Sequence, residues 1–222
     1  MYNTIKPIIY FLIIVNYNVF AQSDYSASEI MENVQKKYST ITTATAKFTQ
    51  TTSFKYAKIE QSSVGTVTMK KGNNFRIETE QQTIVTDGKT VWFYSPINKQ
   101  VLISTYQQKE QTLSPDKFLF NLPNDYAGTI VNEETKSVGA DVVLKLVPKE
   151  KSKNAQFIKS LKVWVVEDDW SVRKIEYIDA NETRTTYTLT SLEFNKKISD
   201  EVFQFTIPKD VEVVDLRKKV GE

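Results

Sequence analysis

The chain has 222 residues and a formal charge of +2, with no cysteine and no histidine. That composition excludes a disulfide framework, thiolate chemistry, the Ser-His-Asp triad and histidine-ligated metal sites, and so little net charge gives no electrostatic case for binding nucleic acid. A chain of this length can bury one sizeable core, so a single domain is expected.

Lys6 precedes an apolar run from Ile8 to Phe20, interrupted only by Asn16 and Asn18. About 13 residues are too few to span a bilayer and suit the apolar region of a signal peptide. Val19-Phe20-Ala21 before Gln22 is a small-x-small cleavage pattern. Residues 1–21 are therefore expected to be a cleaved signal peptide, and 22–222 the mature domain in an exported aqueous compartment, the periplasm of a bacterium. No Cys follows the cut, so no lipid anchor is expected.

One helix is written near the new N-terminus. Ser26-Ala27-Ser28-Glu29 is a capping box, and Ile30, Val34, Tyr38 and Ile41 follow at helical spacing. The helix is expected to fade at Ser39-Thr40. From Thr43 onward the sequence turns to Thr, Val, Ile, Tyr and Phe in frequent alternation, which is strand chemistry. Strands are predicted at 44–55, 62–71, 74–80, 82–86, 90–94 and 99–105, then at 128–133, 140–147, 158–167, 171–179, 183–194 and 203–206, with a short extension at 211–215. The turn signals between them imply consecutive antiparallel strands rather than βαβ units.

The interruption is "TLSPDKFLFNLPNDY", residues 112–126. Ser114 with Pro115 reads as an N-cap with proline at the first helical position. The predicted helix ends near Asn121, because Pro123 stops it. It crowds Phe118, Leu119, Phe120 and Leu122 into five residues, and a helix so short needs an apolar partner.

Candidate catalytic groups are sparse. Asp168-Asp169 and Asp87-Gly88 both sit where a turn is needed, and turn chemistry explains them. No oxygen-ligand spacing for calcium and no glycine-rich phosphate loop is present. What stands out is apolar. Val91, Trp92, Phe93 and Tyr94 follow one another on one strand, as do Val163, Trp164, Val165 and Val166. Side chains alternate along a strand, so both faces receive bulky apolar groups. Such a sheet would curl around an apolar interior.

Four ordered blocks carry a resemblance: "AKFTQ" (46–50), "GTVTMKKGNNFRIE" (65–78), "IVTDGKTVWFYSPINKQV" (84–101) and "FQFTIPKDVEVVD" (203–215). Together they resemble the periplasmic outer-membrane lipoprotein carriers of the LolA family, across essentially the whole mature chain. The resemblance implies a fold that is mainly β with a few helices: an incomplete, unclosed antiparallel β-barrel with a helical lid over an apolar cavity. It implies a monomeric carrier, without cofactor or covalent chemistry. Its cargo would be triacylated lipoproteins released by an inner-membrane ABC transporter and passed to an outer-membrane acceptor. Lining candidates for the cavity and lid are Phe48, Phe75, Ile77, Trp92, Tyr94 and Trp164 on strands, with Phe118, Leu119, Phe120 and Leu122 on the short helix. Which face of 90–94 lines the cavity stays open at this point. Phe75 matches a family phenylalanine used in cargo transfer. In the family a basic residue, typically Arg followed by Pro, latches the lid by bonding its carbonyls. Lys71-Gly72 stands there in this sequence, and Lys lacks the planar fork of Arg, which implies a weaker latch.

Other classes fit less well. A related half-barrel lipid- or lipopeptide-binding protein, a periplasmic sensor or an outer-membrane acceptor, would share the fold. An acceptor of that kind is usually itself lipidated, which the missing Cys opposes. An envelope enzyme would need placed, perturbed carboxylates that the sequence does not display. A structural β-domain would bind partners through its edge strands.

Overall fold

A computed structural model describes residues 23–106, 122–150 and 158–217. The expected signal peptide at 1–21 lies outside the described residues, as do Phe118, Leu119 and Phe120 of the expected lid helix.

Helix α1 spans Ala27–Ser39 and starts as the sequence implies. The Ser26 hydroxyl accepts from the Glu29 N–H, and the Glu29 carboxylate accepts from the Ser26 N–H. That pairing with the Ser26 N–H and hydroxyl holds the Glu29 carboxyl below its usual pKa. Thr40 caps the other end.

Among the described residues twelve strands follow: β1 (Thr43–Phe54), β2 (Ile59–Lys70), β3 (Asn74–Thr79), β4 (Thr83–Asp87), β5 (Thr90–Ser95), β6 (Gln100–Thr105), β7 (Tyr126–Val131), β8 (Val142–Pro148), β9 (Ile158–Val165), β10 (Val172–Asp179), β11 (Thr183–Phe194) and β12 (Glu212–Asp215). They form one sheet in the order β12-β6-β5-β4-β3-β2-β1-β11-β10-β9-β8-β7. Neighbours are antiparallel except β12, which runs parallel to β6. The edges, β12 and β7, do not meet, so the barrel is unclosed. The chain starts in the middle of the sheet, walks outward to β6, crosses to the far edge at β7 and returns to lie against β1.

One sequence expectation changes. Residues 203–206 are not a strand: a 3-10 turn at Asp200–Phe203 is followed by unpaired chain that reaches β12. The helix predicted to end near Asn121 lies outside the described residues. Pro123 is the second residue of a short helix, α2 (Leu122–Asp125), where a missing N–H costs nothing because first-turn donors have no intrahelical partner.

Alternation and register divide the sheet into two faces, since directly opposed residues share a side. The main core lies on the face that carries α1. Ile30, Met31, Val34 and Tyr38 of the helix pack on Tyr126, Val142, Leu144, Leu146, Ile158, Leu161, Val163, Val165, Val172 and Ile175. All of these strand residues belong to β7–β10. Gly128 lets the helix sit close there: a Cβ at that position would stand 3.0 Å from the Met31 side chain, which would have to shift. The Tyr38 hydroxyl accepts from the Val172 N–H at 3.1 Å and so ties the end of α1 to the start of β10.

Burial pushes the Tyr38 phenol up to about 12. A raised phenol means that the folded state holds its proton after the unfolded chain has released it. Its contribution is therefore whole below the unfolded value near 10 and is lost as pH climbs from there toward about 12, at about 1.4 kcal/mol per pH unit. Urea unfolding at a series of alkaline pH values should show a shallower decline for Tyr38→Phe than for the parent. Equal declines would contradict this coupling.

Candidate functional site

The same face continues past α1 onto the other half of the sheet. From β11 to β6 the opposed residues run Tyr187–Gln50, Leu189–Phe48, Phe48–Gly65, Val67–Ile77, Met69–Phe75, Ile77–Ile84, Ile84–Phe93 and Phe93–Leu102. Val91 and Thr86 join them, opposite one another. Ala46, Phe48 and Val67 are buried, with Met69, Ile77, Tyr187, Leu189 and Leu192 packed on them. Farther out Met69, Phe75, Ile77, Ile84, Val91, Phe93 and Leu102 are only half-buried among the described residues. The Phe75 and Tyr106 rings meet edge-on, with centroids 6.5 Å apart.

Charge separates the faces completely in this half. Lys47, Glu60, Lys70, Arg76, Glu78 and Asp87 are the charged residues within β1–β6, and the register puts each of them on the opposite side. What remains toward α1 is a broad uncharged floor with an apolar centre, and its polar groups, among them Gln50, Thr79, Thr86 and Ser104, are all neutral. Gly65 lets that floor be smooth: a Cβ there would stand 2.6 Å from the Phe48 ring and 2.6 Å from the Glu78 carbonyl. Phe48 fills the space instead and meets Tyr187 edge-on, with ring centroids 5.9 Å apart. The Tyr187 phenol is held well above its ordinary pKa by burial, and its hydroxyl is hydrogen-bonded to Tyr177.

The candidates from the sequence therefore fall into two groups. Phe48, Phe75 and Ile77 share the α1 face. Trp92, Tyr94 and Trp164 do not, and they leave the list of floor residues. Trp92 and Tyr94 stand opposite Val85, Ile103 and Val101 on the other face, where a second small core is covered by the C-terminal segment. Phe203 is 2% exposed, Phe205 meets Tyr94 with centroids 5.8 Å apart, and the Arg76 guanidinium donates to the Val202 carbonyl. The doubly apolar strand 91–94 is thus explained by two different covers. Trp164 is structural in the same way. Its indole N–H donates to the Glu134 carbonyl at 3.0 Å, the Lys174 ammonium sits 4.0 Å from its ring centroid, and Ala140 and Val143 pack beside it.

Lys71 is exposed in the β2–β3 turn, before Gly72 at φ +102°. Its backbone N–H donates to the Thr42 carbonyl at 2.8 Å. Leu122 opens α2, immediately after residues 107–121, which fall outside the description. The acidic pairs are turn elements. Asp87 accepts from the Lys89 and Thr90 N–H groups, and Asp169 from the Ser171 N–H. Among the described residues no group of three acidic side chains is placed to hold a metal ion.

Sequence reasoning missed Val67, Met69, Ile84, Leu102 and Leu189, and it left the face of Val91 and Phe93 open. The usable signal was parity against charge: in β3, Phe75 and Ile77 alternate with Arg76 and Glu78, so the charged side and the bare side are both written there.

Comparison with known proteins places the chain. A model of the family described as "Outer membrane lipoprotein carrier protein LolA" matches residues 39–206. The outer-membrane lipoprotein carrier protein of Histophilus somni (strain 2336) is 29% identical, over 89% of this chain and 93% of that protein. The carrier of Pasteurella multocida (strain Pm70) is 28% identical, over 86% and 90%. A crystal structure of an uncharacterized conserved protein from Thermus thermophilus shares the fold with a TM-score of 0.52 at 16% identity, over 85% of this chain and 98% of the other. The chain belongs to the LolA family of outer-membrane lipoprotein carrier proteins.

Proposed function

We propose that this protein carries acylated lipoproteins through the periplasm, from a releasing ABC transporter at the inner membrane to an acceptor at the outer membrane, and that it does so without covalent chemistry. The carrying observation is the charge-free apolar floor on the α1 side of β1–β6. Each acyl methylene removed from water is worth about 0.8 kcal/mol, so a lipid anchor with several chains needs a wide apolar surface rather than a few placed polar groups. A charged side chain on that surface would have to be stripped of water by the arriving chains, at a cost of several kcal/mol. Family membership and the names of the related carriers support the same reading.

Within it, Phe75 is the proposed hand-over residue, exposed enough on the floor to meet an incoming chain. Lys71 is the proposed latch toward the segment that precedes α2. Holding that segment closed in the empty protein lowers net affinity by the cost of opening and lets cargo pass on.

A pair of substitutions on adjacent residues tests the floor. Phe93→Glu puts a carboxylate on it and should weaken binding of a fluorescent fatty acid by about tenfold or more, with the protein still folded. Trp92→Glu disturbs the other core and should act mainly on stability, with fatty-acid affinity near the parent's. Unchanged affinity in a folded Phe93→Glu variant would remove the floor from the account.

The latch has its own measurement. Lys71→Leu should lengthen retention of a bound lipoprotein on the carrier when acceptor membranes are added, while Lys71→Arg should shorten it or leave it unchanged. Equal release rates for Lys71→Leu and the parent would reduce Lys71 to a solvated turn residue.

A further inference from the structure

β2 is longer than its neighbour on one side. It pairs with β1 from Ile59 to Lys70 without a register shift, but β3 meets it only from Gly65 onward, because β3 ends at Thr79. Among the described residues, Ile59–Val64 therefore form an open sheet edge. All of them are exposed except Ser63, which is half-buried.

The direction of the backbone groups follows from alternation. The Lys71 N–H donates to the Thr42 carbonyl on the β1 side, so odd-numbered residues of β2 bond toward β1 and even-numbered residues bond away from it. Thr66, Thr68 and Lys70 accordingly face Glu78, Arg76 and Asn74 of β3. At Glu60, Ser62 and Val64 the same outward N–H and C=O groups meet no strand. They make a ladder of three donors and three acceptors at two-residue spacing. Proteins blunt such edges with proline, bulges or charge. Here the segment "IEQSSV" has no proline, its pairing with β1 has no bulge, and Glu60 is its one charge.

The open edge lies in line with β3. A strand added there would have one end at Thr79, directly beside Ile77 and Phe75 on the uncharged face, and its other end running out to solvent. We propose that this edge holds the peptide adjoining the acylated residue of the cargo, paired to β2 as a short added strand while the acyl chains lie on the α1 face of β2–β6. Main-chain pairing reads no side chains, which suits a protein that must accept cargo of unrelated sequence. Gln61, Ser62 and Ser63 are small or flexible polar residues and impose no side-chain pocket. The inference rests on the carrier reading, and the experiment separates the two.

The probes are a fluorescent fatty acid and two synthetic triacylated lipopeptides with about two and about eight residues after the acylated cysteine, the longer matching a short strand. Their affinities are measured on the mature protein. The longer lipopeptide should bind about tenfold tighter than the shorter, as a few net hydrogen bonds allow. N-methylation of alternate residues of its tail should abolish that gain. The amide protons of Glu60, Ser62 and Val64 should become protected from exchange when it binds. Ser62→Pro removes an N–H that β1 does not use, so it should lower the gain and leave fatty-acid affinity unchanged. Equal affinities for the two lipopeptides, or a gain indifferent to N-methylation, would overturn the proposal while leaving the carrier reading intact. Failure of all three probes to bind would overturn both. A concentration-dependent dimer abolished by Ser62→Pro, with no dependence on tail length, would assign the edge to a second copy of the chain and overturn it as well.

Discussion

A helix of 13 residues is about 20 Å long, and neighbouring strands lie about 4.8 Å apart. Whatever its angle, α1 can therefore shield only four or five of the twelve strands it faces. It is used mainly on β7–β10, where its apolar stripe and their inward side chains make the principal core, with Phe194 at the end of β11 against Tyr38. The α1 side of β1–β6 is left with an apolar composition and no helix among the described residues. In an ordinary antiparallel sheet an uncovered face becomes polar. Here it does not, and charge is kept off it strand after strand. That mismatch between the width of the sheet and the reach of the helix is what the proposed function depends on.

The opposite face shows the ordinary solution, which makes the contrast informative. Over β3–β6 it is closed by the C-terminal segment, with Phe203 and Phe205 supplying the apolar contact and Arg76 and Lys70 tying the segment down through Val202 and Asp200. Over β8–β10 the loop before β8 does the same around Trp164. The rest of that face carries the charges, including the chain of ion pairs from Glu133 through Lys162 and Glu176 to Arg184. The molecule thus uses two connecting segments to close its outer side, while among the described residues the α1 side of β1–β6 has no such cover. Gly65 and Phe48 show the same division at the scale of one pair: a missing side chain is filled by its cross-strand neighbour, which levels the floor.

Much of the architecture was legible in the sequence. The capping box placed α1, and the alternation of Thr, Val and aromatic residues placed the strands to within a few residues. Hairpin turns such as Asp87-Gly88 and Asp179-Ala180-Asn181 were visible because their side chains serve the turn backbone directly. The faces were harder. In β3 the charges at 76 and 78 declare which side is wet, but β5 has no charge, and "TVWFYS" reads the same with either face inward. Its orientation is settled only through β4, by the pairing of Ile84 with Phe93 and of Val85 with Trp92. For that reason the face of 90–94 stayed open in the sequence, with Trp92 and Tyr94 among the candidates, and only the register puts Val91 and Phe93 on the α1 side. Trp164 was equally ambiguous, since nothing local announces that Lys174 and the Glu134 carbonyl cover it. The segment 203–206 looked like a strand because Phe-x-Phe alternation is strand chemistry, but its apolar side chains serve a strap lying on a face rather than an edge.

The central claim is that acyl chains lie on the uncharged α1 face of β1–β6. A fatty acid carrying a diazirine near its chain end, bound to the protein, photolysed and mapped by mass spectrometry at residue resolution, tests it most directly. The account predicts adducts at Phe75, Ile77, Phe93 and Leu102, and none at Trp92, Tyr94 or Trp164. Adducts concentrated on those three residues, or scattered equally over both faces, would contradict it.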